Sequence, residues 1–250
     1  MKTVGILGAG WLGKPLALFL QDKGHQIKVS VRSEEKKNQL EDNGLNAFVL
    51  QIDENAVQGA MSFFKDLDVL IVSLTPQPLD IFKTLLQTAK LHNIQKVLLF
   101  SSTGIYTDCS GEVNEDSLLQ TQLPKVKLLK EIEDLFLNEP LVTTTVLRLG
   151  GLIGPNRHPI MYMVKKGRVE AGNEPVNIVY QETILQTIAQ LLSKGLPNTV
   201  FNLVENDHRT KEIFYTEAAL AFGLQAPEFI NESHPKNRIV STKKLHEYLN

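Results

Sequence analysis

Short runs of Val, Ile and Leu alternate with longer stretches whose apolar residues return every three or four positions, the sequence form of buried parallel strands joined by crossover helices. The first run is Thr3 to Leu7. A helix is predicted from about Leu12 to Lys23, with Pro15 tolerated in its first turn and Gly24 ending it. A second strand at Gln26 to Val31, a charged helix at Glu34 to Asn43 and a third strand at Ala47 to Ile52 complete a β-α-β-α-β run. Asp68 to Leu74 and Lys96 to Ser101 read as strands four and five, with a helix from about Leu79 to His92 between them. A helix near Lys125 to Leu137 leads to a sixth strand at Thr143 to Leu149. Six such strands predict an α/β fold with a doubly wound parallel sheet.

From Gly150 onward the alternation loosens, and Gly151, Gly154, Pro155, Pro159, Gly167, Gly172 and Pro175 cut the chain into turns around short apolar pieces. A small C-terminal substrate lobe is expected there. A helix from Glu182 to Leu192 and a strand at Val200 to Val204 are predicted to return to the main sheet, ahead of a helix from Lys211 to Phe222 and a basic, polar end. The expected organisation is a core over 1–150 and, over 151–250, an interleaved lobe plus returning elements, all in one compact unit.

Between the first strand and the first helix stands Gly8-Ala9-Gly10-Trp11-Leu12-Gly13. A G-x-G-x-x-G that leaves a strand, opens a helix and lies within a unit of about thirty residues ending in another strand is the form that holds a dinucleotide. Gly8 allows the tight turn, Gly10 leaves the backbone bare where a pyrophosphate approaches, and Gly13 lets helix and strand pack closely. Amides at the helix start, including those of Trp11 and Leu12, would face the phosphates. After strand two the sequence is Ser30-Val31-Arg32-Ser33, with no acid at the strand end to receive a ribose 2′-hydroxyl and a guanidinium suited to a 2′-phosphate. Arg32 and Ser33 therefore favour NADP over NAD, although Glu34 and Glu35 follow immediately.

Composition changes this picture little but excludes alternatives. The balance of 26 basic against 28 acidic residues, with no basic block, offers no broad field for nucleic acid or an anionic membrane. A single cysteine, Cys109, rules out an internal disulfide and fits a reducing cytoplasm. The six histidines lack metal-ligand spacing. No apolar run approaches the roughly 20 residues of a membrane span, and Met1-Lys2-Thr3-Val4 enters a strand rather than a signal core.

At Phe100-Ser101-Ser102-Thr103-Gly104-Ile105-Tyr106 and Leu147-Arg148-Leu149-Gly150-Gly151-Leu152-Ile153-Gly154-Pro155, together with the glycine turn, the chain resembles the extended short-chain dehydrogenase/reductases, the NAD(P)-dependent epimerase/dehydratase group. The likeness continues through Pro175 to Val179, Phe201 to Val204 and Asn237 to Leu245. It implies a Rossmann fold and an oxidoreductase or epimerase acting on a small polar molecule such as a nucleotide sugar. It also implies that Ser102, four positions before Tyr106, binds the reacting oxygen, with Thr103 able to share the role if the loop is shifted by one. Asp53 resembles the group's adenine-contacting acid, and Ser73 and Leu74 take the strand-four end along which the cofactor passes. The helices flanking strand five correspond to a homodimer face in that group.

One departure bears on activity. The group's acid/base pair is Tyr-x-x-x-Lys, in which the lysine lowers the tyrosine pKa. If Lys127 fills the lysine position, the tyrosine position is Leu123; if Lys130 does, it is Val126. Either lysine remains a candidate for the nicotinamide ribose. Tyr106, Tyr162, Tyr180 and His158 are candidates to replace the phenol, without a motif to select among them. Loss of the tyrosine also admits a non-catalytic reading, a dinucleotide sensor or partner-docking module. The opening Gly5 to Ala17 further resembles that of the β-hydroxyacid dehydrogenases, but the rest of the chain is too short and too interrupted for their helical second domain.

Overall fold

The computed structural model describes residues 1–250. Seven strands form one sheet: β1 (Thr3–Leu7), β2 (Gln26–Val31), β3 (Asn46–Val49), β4 (Val69–Val72), β5 (Lys96–Ser102), β6 (Thr143–Leu149) and β7 (Thr199–Leu203). Their order is β7-β6-β5-β4-β1-β2-β3. Pairing is parallel from β3 through β2, β1 and β4 to β5. The chain thus starts at β1, winds outward to β3, then returns past β1 to β4, which puts the topological switch between β1 and β4. Both faces of the central strands are covered: Val4, Ile6 and Leu7, and all of β4, are fully buried, which is why these runs carry unbroken aliphatic residues rather than alternation. The expected doubly wound sheet is present, and the Val200 to Val204 run joins it as the edge strand β7.

The helices are α1 (Gly13–Asp22), α2 (Glu34–Glu41), α3 (Ala60–Phe64), α4 (Leu79–Leu91), α5 (Pro124–Leu137), α6 (Pro159–Lys166), α7 (Gln181–Lys194), α8 (Lys211–Ala221) and α9 (Lys243–Leu249). No helix is long and apolar enough to cross a membrane. Two expected strands are shorter than their apolar runs. The third ends at Val49 rather than Ile52, because Leu50 N–H still donates to Val31 O at 2.9 Å while Gln51 and Ile52 turn away to pair antiparallel with Val57 and Gln58. The fourth covers Val69–Val72 rather than Asp68 to Leu74. Pro76 and Pro78 lie just beyond it, and α4 starts directly after Pro78.

Two compact units divide the chain. One comprises Met1–Ser101, Thr121–Leu147 and Leu185–Val200; the other Ser102–Gln120, Arg148–Ile184 and Phe201–Asn250. In the first, Phe63, Phe64, Phe82 and Phe136 pack with β4 and β5 aliphatics. In the second, Ile153, Ile160, Val176, Ile178, Phe214, Tyr215 and Ala219 form a separate small core. Short parallel pairs belong to this unit: Gly151–Ile153 with Ile178–Tyr180, Arg168–Glu170 with Glu228–Ile230, and Glu112–Val113 with Ile239–Val240.

Candidate functional site

The three glycines after β1 differ in what surrounds them. Gly8 has φ +94°, and a Cβ there would lie 2.8 Å from Ser73 O, so backbone conformation and space both require glycine. At Gly13 an added Cβ would be 2.0 Å from Gly8 O; the first turn of α1 closes directly onto the loop that precedes it. Gly10 has nothing within 4 Å of the added carbon. Its bare side therefore faces open space, the cradle a pyrophosphate needs. No side chain caps α1 and no acid stands in its first turn, so the positive end of the helix is left for an anion. Ser30, buried in β2, steadies the turn by accepting from Gly8 N–H at 3.0 Å through its hydroxyl and from Ala9 N–H at 3.0 Å through its carbonyl. Trp11 is half-buried and Leu12 buried.

Beside this turn lies a cavity of ≈ 470 Å³. Gly8, Ala9 and Gly10 form one wall; Leu50, Ile52, Leu74 and Ile81 give an apolar slot; Ser30, Gln51 and Gln77 supply neutral polar groups; Arg32 and Lys36 bring the only charges. No carboxylate lines it. Ser33 caps α2 by accepting from Lys36 N–H at 3.4 Å, and Arg32, just before the cap, and Lys36, in the first turn, both line the cavity. Neither cation has a protein partner in the structure. The neighbouring acids are engaged elsewhere: Glu34 and Glu41 each stand 3.7 Å from Lys37, and Glu35 accepts from Gln39 at 3.3 Å.

Of the residues expected from sequence, Gly8, Gly10, Arg32 and Leu74 come together on this cavity. Ser73 adjoins Gly8, and its N–H donates to Leu7 O at 3.0 Å. Asp53 lies outside the lining. The early end of β3 carries it into a hairpin turn, where Asn55 and Ala56 N–H donate to its Oδ1 at 2.8 and 2.9 Å and hold the carboxyl below its usual pKa. Gln51 and Ile52 take the expected place of Asp53 on the wall, and Gln51 donates to Arg32 O at 2.8 Å. Lys127 is exposed on α5, 3.8 Å from Glu131, in a separate concavity with Lys130; Lys130 pairs with Asp134. Leu123 precedes α5 and Val126 is fully buried on it, so neither tyrosine position carries a group that could move a proton.

The second unit contains the hydroxyl turn. Ser102 accepts from Gly104 N–H at 3.0 Å and donates to no protein group, which leaves its own hydrogen for another acceptor. Thr103 is buried and donates to Leu149 O at 3.3 Å. The two hydroxyls are thereby distinguished: Thr103 is tied to the backbone and Ser102 is not. Tyr106 is completely buried, accepting from Arg148 at 2.7 Å and donating to Asn202 Oδ1 at 2.9 Å. Burial pushes its phenol above the ordinary value against the opposing pull of Arg148. A phenol raised and bonded on both sides cannot exchange protons near neutrality. Tyr162 and Tyr180 are exposed. His158 is half-buried: it caps α6 by accepting from Ile160 N–H at 3.2 Å and stacks on Phe214, and burial lowers its pKa.

A strand, a glycine turn and an uncapped helix at the switch point of a doubly wound sheet define a dinucleotide-binding α/β protein. The chain belongs to the NAD(P)H-binding family, whose model matches residues 8–194. Protein YeeZ of Escherichia coli (strain K12) is 29% identical over 98% of this chain and 93% of that protein. Among solved structures, a functionally unknown conserved protein from Silicibacter pomeroyi DSS superposes with a TM-score of 0.80 at 20% identity, covering 100% of this chain and 92% of that one. UDP-glucuronic acid 4-epimerase from Bacillus cereus, in complex with NAD, gives 0.79 at 17% identity, covering 99% and 92%. The fold is that of the NAD-dependent epimerases, and the chain is an NAD(P)H-binding protein.

Proposed function

We propose that this protein is an NADP-dependent oxidoreductase of the epimerase/dehydratase kind, acting on a small polar substrate, with a nucleotide sugar as the leading class. The observation that carries the cofactor choice is the pair Arg32 and Lys36 on a cavity wall without a carboxylate. A 2′-phosphate would gain two charge-assisted contacts there, whereas a 2′-hydroxyl would find no acid to accept from it. Residues Gly8 to Gly13 would hold the pyrophosphate through backbone amides, Ser73 and Leu74 would flank its path, and Ser33 would support the phosphate site by fixing the start of α2. When bound, the dinucleotide supplies the hydride acceptor or donor. Ser102 would donate its hydroxyl hydrogen to the reacting oxygen; Thr103 would hold the turn. The substrate class is carried over from the fold's epimerase relatives.

The sole tryptophan, Trp11, lies in the glycine turn and offers a direct readout. Titration with NADPH is expected to quench its fluorescence at a concentration at least about tenfold below that needed for NADH. Equal or tighter binding of NADH would overturn the NADP reading. Turnover is read from the reduced-nicotinamide absorbance with sugar nucleotides and aldehydes, and Ser102→Ala is expected to lower kcat by about a hundredfold.

The absence of a phenol at 123 and 126 favours a second reading, a sensor whose state follows cofactor occupancy. Different affinities for oxidised and reduced NADP, with no turnover across the panel, would select it.

A further inference from the structure

We infer that Arg238 is a positioning residue for Ser102, reaching from the distant segment 236–241 to the turn that carries the hydroxyl. This rests on the proposed role of Ser102. The turn itself is a 3-10 helix, Thr103–Tyr106, a geometry with poor internal hydrogen bonds that does not hold a side chain rigidly unaided. Thr103, tied to Leu149 O, and Thr107, whose hydroxyl donates to Gly104 O at 2.6 Å, restrain it locally, and Tyr106 restrains its far end. The ring oxygen of Tyr106 is fixed by Arg148 and Asn202, and its carbonyl accepts from Cys109 N–H at 3.0 Å and from the Arg238 guanidinium at 2.9 Å. One residue is thus held at both its side chain and its main chain, two positions after the Gly104 amide that Ser102 accepts from.

Segment 236–241 is built to keep Arg238 in place. Asn177 donates to Arg238 O at 2.8 Å and accepts from Val240 N–H at 2.8 Å, clamping both sides of one peptide stretch. Gly111 N–H donates to Lys236 O at 2.9 Å, and Ile239 N–H to Gly111 O at 3.0 Å. Asn202, which takes the Tyr106 hydroxyl, also donates to Ser241 O at 3.1 Å. A single carboxamide therefore bonds both the anchor of the turn and the segment that tethers it. The outcome is that the direction of the Ser102 hydroxyl depends on residues more than seventy positions away in sequence.

Amide exchange at Gly104 reads the Ser102 contact independently of activity. Ser102→Ala sets the exchange expected when the acceptor is removed. Arg238→Ala is expected to raise Gly104 exchange at least about tenfold, with Arg238→Lys, which keeps one donor, restoring part of the protection. Lys236→Ala, which removes only the ion pair to Asp108, is expected to leave it unchanged. Unaltered Gly104 exchange in Arg238→Ala, or a rise shared equally by the amides of Gly151–Ile153, would overturn the inference. Should Arg238→Ala not fold, Asn177→Ala decides: faster Gly104 exchange supports the tether and wild-type exchange removes it. In turnover, Arg238→Ala is expected to lower kcat with an unchanged dinucleotide KM. If Ser102→Ala keeps full turnover, the catalytic reading of Ser102 fails, while the exchange result still judges the tether.

Discussion

The glycine turn after β1 and the hydroxyl turn after β5 both leave the carboxyl end of a sheet strand, yet they are held by different means. Around Gly8 to Gly13 the supports are mostly main chain: a left-handed Gly8, a helix turn closed against Gly8 O, and Ser30 on the neighbouring strand, which accepts through both its hydroxyl and its carbonyl. Around Ser102 to Tyr106 short-range bonds from Thr107 and Cys109 are joined by side chains from far along the chain, Arg148, Asn202 and Arg238. A site that offers backbone amides to phosphate needs only the right turn. If Ser102 acts as proposed, its hydroxyl must be aimed, and buried polar ties supply what a weak 3-10 turn does not.

The strongest test of this contrast is Gly13→Ala. With its Cβ 2.0 Å from Gly8 O, the backbone must shift, and urea unfolding is expected to show a loss of about 3 kcal/mol. Next in size, the double change Arg32→Ala with Lys36→Ala is expected to weaken NADP binding by about a hundredfold while leaving NAD affinity unchanged, as measured by calorimetry; parallel losses for both would remove the 2′-phosphate assignment. Asn202→Ala takes the acceptor from a buried phenol and is expected to cost about 2 kcal/mol without changing dinucleotide affinity. A matching loss of affinity would mean that the two regions are not energetically separate. Gly10→Ala has room for its methyl, so stability should stay within about 0.5 kcal/mol. Dinucleotide affinity should nonetheless fall by at least about tenfold, because the methyl occupies the phosphate cradle.

The smallest effect is alkaline. Burial pushes the Tyr215 phenol up to about 12 from 10.0. A proton held more tightly in the folded state gives stability that is complete below the unfolded value and lost as pH rises towards the folded one. Urea unfolding near pH 11 is therefore expected to show a deficit that Tyr215→Phe reduces by about 1 kcal/mol, the buried Tyr106 keeping its own share. An unchanged deficit in that variant would place its origin elsewhere.

Much of the nucleotide end was legible. Aliphatic runs marked the central strands because both of their faces are buried, and the glycine spacing marked the turn because its requirements are steric and local. Lys36 was not singled out along the chain; folding places it in the first turn of α2, beside Arg32 on the cavity. Asp53 stands off the cavity lining because an apolar run does not reveal where pairing stops, and in the hairpin after Val49 its carboxylate accepts from the Asn55 and Ala56 amides. The roles of Asn202 and Arg238 left no local trace.

What could be read along the chain was whatever near neighbours enforce: periodicity, a glycine turn, a helix cap. Which of two adjacent hydroxyls is tied down, which tyrosine is buried beyond use and which cations face a cavity depended on folding, because each is set by groups that meet only in three dimensions. Ser102 and Thr103 are alike as residue types; Leu149 O takes the hydrogen of one and leaves that of the other.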